Sequence, residues 1–309
     1  MGFWEYRCTM ALEIKPLRHR GRWVMAALVL FFAGLTLESL LTNENIGWPT
    51  VREYLFAPIT LKGITVTLYL TVLAMIIGLF GGILLAIMRI SDNPVLSSIA
   101  GFFIWFFRGT PVLVQIIFWG YLGALYKDIA VWIPFTDIKL FGWPTNSIIT
   151  PFLAAVLALG LNEMAYAAEI VRGGMIAVNH GQTEAAYSLG FTPGQTFRRV
   201  VLPQAMRVIM PPMGNEVITM LKTTALVSVI GGSDLLTVLQ RVYSQDYNVI
   251  PLLTVGTIWY LILTTSLSIP QRWLERRFGR GAADGADRRN PFSRLTGLRF
   301  PMNGLGRKL

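Results

Sequence analysis

The most constraining feature of the sequence is a long apolar stretch, residues 64–88, which contains no charged side chain. A helix of this length, rising about 1.5 Å per residue, crosses the hydrocarbon core of a bilayer, which is about 30 Å thick. Three glycines within it, Gly78, Gly81 and Gly82, allow another helix to approach closely. The stretch therefore predicts a membrane-spanning helix and a chain that folds in lipid.

The composition agrees with a membrane protein. Of the 309 residues, 53% are hydrophobic and 14% are charged, whereas soluble domains carry about 25% charged residues. A single cysteine excludes an intrachain disulfide framework, and two histidines leave no Cys/His metal constellation. The composition therefore argues against an ordinary soluble enzyme.

Five further apolar runs raise the expected number of crossings to six. They are residues 23–41, 110–126, 148–171, 208–230 and 251–269. We expect the first run to be an uncleaved anchor, because no small-residue cleavage site follows it.

Prolines divide two of the apolar runs. Residues 95–126 are too many for one straight crossing, and the sequence 108–111, Arg-Gly-Thr-Pro, interrupts them. We therefore expect an interfacial helix before Arg108 and a span that begins at about Thr110. The run 208–230 contains Pro211 and Pro212, so we expect a broken or short helix there, with freed backbone groups near the prolines.

Basic residues are distributed unequally between the two sides of this six-helix arrangement. Of the 27 Lys and Arg residues, Lys222 lies in a span, and those assigned to the sparsely charged side are Arg52, Lys62, Lys127, Lys139 and Arg241. Because Lys and Arg concentrate in cytoplasmic segments, the distribution predicts that both termini are cytoplasmic. The net charge of +10 therefore indicates topology, and we expect no nucleic-acid partner.

The cytoplasmic connection, residues 172–207, predicts two short helices. In the first, Glu184 is expected near the N-terminus, where an acid suits the helix dipole, and Gly190 is expected as the C′ residue. Ala185 and Ala186 are good helix formers that present a narrow ridge. Such a ridge suits a groove on another protein, but an interfacial helix lying on the membrane is equally compatible with the local sequence.

The second short helix has a clear start. Thr192 is the expected N-cap, Pro193 occupies the first helical position, and Gln195 at the third completes a capping-box pattern. Pro203 is expected to end this helix.

These two segments resemble the EAA signature of permease subunits of bacterial ABC importers. The matching residues are Glu184, Ala185, Ala186, Gly190, Leu202 and Pro203, and Val200 stands where the family usually has isoleucine. Further stretches resemble the polar amino acid subfamily, namely residues 108–115, 168–174, 197–205, 211–216 and 222–230. They follow in order across residues 61–271.

The resemblance implies an all-α membrane protein of about six transmembrane helices, with a five-helix type I importer core and one added N-terminal anchor. The expected parts are a cytoplasmic arm (1–22), the extra transmembrane helix (23–41), the permease core (61–271), the coupling segment within it (172–207) and a basic cytoplasmic tail, expected to be disordered (279–309).

The resemblance also implies a function. The chain would be a non-catalytic, multi-pass subunit of the bacterial inner membrane that translocates amino acids. Its partners would be two ATPase subunits, a second permease copy and an extracytoplasmic solute-binding protein. No cofactor is expected in this chain, which lacks the phosphate-binding sequence GxxxxGK[ST], so ATP and Mg²⁺ would be bound by the ATPases. The matching EAA residues would then couple the permease to them.

Other functions remain compatible with the sequence. A permease of this family could carry another small polar solute, such as an opine or a compatible solute. A secondary transporter driven by an ion gradient through Glu163 and Glu169 is a further alternative, although it leaves the EAA segment unexplained.

Polar residues inside the spans are the candidates for a substrate pathway, because an ionisable group that faces lipid is costly. The candidates are Asn162, Glu163, Tyr166, Lys222 and Thr224. Glu169 lies nearer the cytoplasm and is expected to pair with Arg172 at i+3. Lys222 could instead pair with Glu216.

Overall fold

The computed structural model describes residues 20–132 and 139–278, and this part of the chain is mainly helical. In chain order the helices are α1 (Arg20–Thr42), α2 (Trp48–Leu55), α3 (Pro58–Ile90), α4 (Pro94–Gly109), α5 (Val112–Gly120), α6 (Leu122–Leu125), α7 (Thr145–Ile148), α8 (Pro151–Ile176), α9 (His180–Ser188), α10 (Pro193–Thr196), α11 (Leu202–Thr223), α12 (Leu235–Asp246) and α13 (Val249–Phe278). A π-helical turn, Phe197–Val201, joins α10 to α11, and a 3₁₀ helix, Thr224–Ile230, follows α11.

The candidate membrane spans number four to six, and the upper figure equals the expected number. Four helices, α1, α3, α8 and α13, are long and apolar enough to cross a bilayer. Two bent pairs give one more span each, namely α4 with α5, which meet at 97°, and the helical stretch Pro193–Ile230 with α12, which meet at 43°. Six crossings are reached when both pairs are counted.

The span expected over residues 110–126 is not one helix. Helix α5 has only nine residues, which rise about 13 Å, and α6 follows it after Tyr121. A hairpin that the sequence analysis did not foresee comes next, in which β1 (Asp128–Trp132) pairs antiparallel with β2 (Lys139–Pro144). Thr145 closes its base, since its amide donates to the Lys127 carbonyl at 2.9 Å.

Helices α3 and α8 pack closely against each other. A Cβ atom added at Gly78 would lie 2.2 Å from Cγ of Glu163, and one added at Gly82 would lie 2.6 Å from Cβ of Ala167. The small residues on both helices thus let their backbones approach. Leu70 and Leu159 are fully buried where the two helices form the centre of the core.

A second cluster packs the N-terminal end of α3 against α12 and α13. The Leu235 amide at the start of α12 donates to the Thr67 hydroxyl at 3.0 Å. The indole N–H of Trp259 on α13 donates to the Leu55 carbonyl at 2.7 Å. Leu235, Leu239 and Leu252 are fully buried in this cluster.

Helix α1 stands apart from this core, since none of its apolar span is buried within the described part of the chain. The expected arm, apart from residues 20–22, and the expected tail, residues 279–309, lie outside the described residues.

We predict that Gly82→Val lowers the melting temperature of the detergent-solubilised protein. The added side chain would meet Cβ of Ala167 at 2.6 Å and the backbone nitrogen of Ala168 at 3.0 Å, so α3 and α8 must separate. Overpacking of this kind costs about 1–3 kcal/mol.

Gly34→Val on α1 is the matched control, because a Cβ there meets no described atom within 4 Å. Equal melting temperatures for the two variants would contradict the proposed close packing of α3 with α8.

Candidate functional site

A cavity of about 520 Å³ lies between the break after α4, helix α8 and helix α11. Although it lies among membrane spans, eight of its thirteen lining residues have polar side chains, namely Arg108, Thr110, Asn162, Glu163, Tyr166, Glu216, Thr219 and Thr223. The cavity therefore brings together three of the five predicted pathway residues, Asn162, Glu163 and Tyr166.

One wall of the cavity is built by the break between α4 and α5. Pro111 has no N–H, so the carbonyl of Phe107 loses its helical partner. Thr110, which precedes the proline, is extended, with φ −110° and ψ 140°. Gln115 and Asn162 replace the missing donor, since the side-chain nitrogen of each lies 3.0 Å from the Phe107 carbonyl oxygen. The sharp turn is thus stabilised from within α5 and from α8.

Asn162 consequently has a structural role beside the pathway role predicted for it. It lines the cavity, but its amide nitrogen is engaged by Phe107 and by Oε1 of Gln115, the latter at 3.3 Å. Gln115 also donates to the carbonyl and hydroxyl of Thr110, at 3.1 Å and 2.8 Å. Sequence reasoning missed Gln115, although a lone amide within an apolar run, four residues after Pro111, is a signal that could have revealed it.

Glu163 is the most buried acid of the cavity, with only 3% of its surface exposed. Its Oε1 atom is buried and has no hydrogen-bond partner among the described residues. Glu216 on α11 faces the same cavity. An unpaired buried carboxylate is costly, so this pair of acids suits a ligand that brings positive charge or N–H donors.

Arg108 supplies the opposite charge. Its guanidinium carbon lies 5.2 Å from the centre of the Tyr166 ring, a cation–π contact, and Nη1 lies 3.9 Å from Oε2 of Glu169. Arg172 binds Glu169 through two hydrogen bonds of 3.0 Å and 2.7 Å, which confirms the expected i+3 pair. The cavity thus has carboxylates from α8 and α11 and a guanidinium beside Tyr166.

Two predicted pathway residues lie elsewhere. Thr224 is fully buried, and its hydroxyl donates to the Leu221 carbonyl at 2.7 Å. Lys222 is exposed and forms no ion pair with Glu216 in the described structure. Because α11 is continuous there, residues six apart point about 120° away from each other around the helix.

The break expected at Pro211 and Pro212 is wrong. Both prolines lie inside α11, and the side-chain nitrogen of Gln271 on α13 donates to the Pro211 carbonyl at 2.8 Å. The break comes later, where Gly231 and Ser233 have φ values of 73° and 62°. The bond from Gln271 ties α13 to α11 beside the prolines, whereas the carbonyls that lose a helical donor to Pro211 and Pro212 are those of Arg207 and Val208.

The connection after α8 contains the two expected short helices. Helix α9 begins earlier than expected, because the Asn179 side chain accepts the Gly181 amide at 2.8 Å. Glu184 therefore lies in the middle of α9, and the expectation of an acid in the first turn is wrong. Gly190 is the C′ residue as expected, with φ +80°.

The turn at Gly190 is a Schellman motif. The amide of Gly190 donates to the Tyr187 carbonyl at 2.9 Å, and that of Phe191 donates to the Ala186 carbonyl at 3.1 Å. The residue at C′ must have positive φ, which glycine adopts without strain.

The predicted capping box is confirmed. The Gln195 side chain accepts the Thr192 amide at 2.9 Å, and the Thr192 hydroxyl accepts the Gln195 amide at 3.4 Å. The expected helix end at Pro203 is wrong, because the chain continues through the π-helical turn into α11. Pro203 lies in the first turn of α11.

The outer face of α9 differs from the expected ridge of two alanines. Glu184 and Ala185 are exposed, whereas Ala186 is only 4% exposed and faces the protein's own chain. Tyr187 and Leu189 are 49% and 77% exposed. The available surface is therefore one alanine with a neighbouring acid and two large apolar side chains.

Comparisons with known proteins cover most of the chain. Residues 78–280 match the family model described as binding-protein-dependent transport system inner membrane component. The arginine transport system permease protein ArgU of Corynebacterium glutamicum is 46% identical over 274 residues, which are 88% of this chain and 84% of that protein. The glutamine transport system permease protein GlnP of Escherichia coli is 34% identical over 230 residues, 74% of this chain and 94% of that protein.

A solved structure is also similar. The crystal structure of an amino acid ABC transporter with histidines matches with a TM-score of 0.59 and 37% sequence identity. The match covers 71% of this chain and 94% of that one.

We predict that Gln115→Met loosens the break between α4 and α5. The change leaves the Thr110 carbonyl and hydroxyl without their donor and removes one of two donors to Phe107, a loss of about 1–3 kcal/mol. Hydrogen–deuterium exchange should rise over residues 106–111.

Gln204→Met is the control, since the side-chain amide of Gln204 donates to a single carbonyl, that of Val200, within its own helical stretch. Unchanged exchange over residues 106–111 in Gln115→Met would contradict the role assigned to Gln115.

Proposed function

The chain belongs to the family of binding-protein-dependent transport system inner membrane components, and we propose that it moves amino acids through the bacterial inner membrane as the permease subunit of an ATP-driven importer. The observation that carries the proposal is the similarity to amino acid permeases, which includes both the spans and the capped segment between α8 and α11. The protein is a multi-pass permease of the inner membrane.

The energy source in this proposal is a pair of partner ATPase subunits. They bind ATP and Mg²⁺, since the sequence of this chain contains no GxxxxGK[ST] loop. A solute-binding protein delivers the amino acid from outside, and a second permease copy completes the pathway. This chain is the non-catalytic membrane subunit.

The ATPase contact in this proposal is the exposed face of α9. Glu184, Ala185, Tyr187 and Leu189 are available to a groove on a partner. Ala186 and the turn at Gly190 fix the angle between α9 and the helical stretch that follows. We therefore assign contact to the first group and positioning to the second.

The link between the ATPase contact and the cavity is helical. The stretch Pro193–Ile230 begins one turn after Gly190 and includes Leu202, Pro203 and Glu216. From Leu202 to Glu216 the rise is about 21 Å. A displacement of α9 would thus move this helical stretch as a rigid body and shift the cavity wall. Such a movement could switch the spans between inward-facing and outward-facing states.

The cavity is our proposed substrate site. Glu163 and Glu216 would accept the ammonium group, or a cationic side chain, and Arg108 would bind the carboxylate. Asn162 and Tyr166 complete the lining, whereas we leave Lys222 and Thr224 outside the pathway. Opposite charges on separate walls suit a zwitterionic amino acid.

The orientation rests on the distribution of basic residues. We propose that α9 and both termini are cytoplasmic, since the segments assigned to that side hold most of the Lys and Arg residues. Residues 61–271 then form the permease core with its coupling segment (172–207), and residues 23–41 form an added anchor.

Uptake by proteoliposomes tests the proposed function. The purified assembly should accumulate labelled amino acids with ATP inside, solute-binding protein outside and no ion gradient. Uptake that needs a proton gradient and ignores ATP would instead support the secondary-transporter alternative.

We predict that Gly190→Val reduces ATP-driven uptake more than tenfold without loss of membrane insertion. A β-branched residue in a left-handed conformation costs about 1–2 kcal/mol or more, so the Schellman turn would open and α9 would be misplaced. The measurement is uptake together with ATPase activity of the assembly.

Two variants serve as controls. Gly190→Asn should retain most uptake, because asparagine tolerates positive φ. Gly194→Ala should also be active, since a Cβ there meets no described atom within 4 Å and φ is not positive. Normal uptake by Gly190→Val would rule out the coupling role of this turn.

We predict that Glu163→Gln raises the KM for uptake by at least about tenfold, because a charged hydrogen bond contributes about 1.5–3 kcal/mol. The melting temperature should not fall, since the change removes a buried carboxylate oxygen that has no partner among the described residues.

Glu44→Gln, on an exposed turn before α2, is the control for charge alone. A KM that stays at the wild-type value in Glu163→Gln would remove Glu163 from the proposed substrate site.

A further inference from the structure

A second cleft, of about 490 Å³, lies between α3 and α12 near the start of α3. Its charged and polar lining residues are Lys62, Thr65, Tyr69, Ser233 and Arg241, and no acidic residue lines it. None of these residues lines the cavity that contains Glu163.

Lys62 and Arg241 lie on the same side of the contact between α3 and α12. The Leu235 amide donates to the Thr67 hydroxyl, and a Cβ atom at Gly63 would lie 2.5 Å from Val238, so the two helices run in opposite directions. The Cα atoms of Lys62 and Arg241 are about 7.5 and 9 Å from that bond along their helices, and the Arg241 guanidinium reaches back to Gly231 and Ser233. The charge distribution of the sequence assigns both to the extracytoplasmic side.

Both cations have N–H groups that can donate hydrogen bonds to a ligand. The Lys62 side chain is exposed and has no ion pair or hydrogen bond within residues 20–132 and 139–278. Arg241 uses Nη2 for the Gly231 carbonyl and the Ser233 hydroxyl, at 3.2 Å each. These bonds hold the guanidinium at the cleft and leave its other N–H groups for an acceptor.

Apolar surface accompanies the cations. Val66 and Tyr69 follow Lys62 at i+4 and i+7, so they lie on the same face of α3 and extend about 10 Å along it. Ile59 and, on α12, Val238 add to this surface. The cleft thus combines two cations with an apolar wall, as the phosphate and the acyl chain of an anionic phospholipid require.

We propose that this cleft binds an anionic phospholipid, with the phosphate between Lys62 and Arg241 and an acyl chain along Val66 and Tyr69. An acidic surface of a soluble protein would match the two cations but would leave the apolar wall unfilled. The charge complementarity and the depth of the wall together favour lipid.

The test measures retained lipid. The purified transporter assembly, delipidated in detergent, is incubated with phosphatidylglycerol or phosphatidylcholine and weighed by native mass spectrometry. We expect retention of phosphatidylglycerol, with affinity reduced about fivefold by Lys62→Gln or Arg241→Gln and about thirtyfold by both. Arg52→Gln is the control, because this exposed cation of the same side does not line the cleft.

Three outcomes would overturn the proposal. They are equal retention of phosphatidylcholine, wild-type retention by the double variant, and full displacement of phosphatidylglycerol by inorganic phosphate, which would mean that the acyl chain contributes nothing. The competition with inorganic phosphate uses wild-type protein, so it tests the contribution of the acyl chain even where the double variant fails to fold.

Lys62→Arg, which keeps the charge, should retain the lipid.

Discussion

The close approach of α3 and α8 is the constraint on which the rest of this membrane fold depends. In lipid, apolar side chains gain little by meeting one another, so two helices associate where small residues let their backbones pack. Gly78 and Gly82 provide that approach on α3, and Gly160 provides it on α8, where a Cβ would lie 2.9 Å from Ile77. Helix α8 is thereby fixed along its length.

A fixed α8 organises the cavity. Asn162 on this helix holds the Phe107 carbonyl, so the sharp turn after α4 is built against α8. The next residue, Glu163, packs against Gly78 and presents its carboxylate to the cavity. The same side of α8 therefore supports the wall and supplies a charge, which explains why a polar cavity can persist among apolar helices.

Local patterns were predicted well from the sequence because they depend on neighbours within a few residues. The capping box at Thr192, the positive φ of Gly190 and the pair of Glu169 with Arg172 are all of this kind. Local rules failed where tertiary packing intervenes. Pro211 and Pro212 stay inside α11, which packs against α13 and receives a hydrogen bond from the Gln271 side chain at the Pro211 carbonyl.

The sequence by itself determined that the chain is a helical membrane protein, and it located the capping box at Thr192 and the C′ glycine at Gly190, because hydropathy and capping depend on short segments. Only the tertiary structure decided that Asn162 braces a turn, that Lys222 lies outside the cavity, and that Lys62 and Arg241 share a cleft. Such roles depend on which helix faces run against each other, and side-chain packing in three dimensions sets that arrangement.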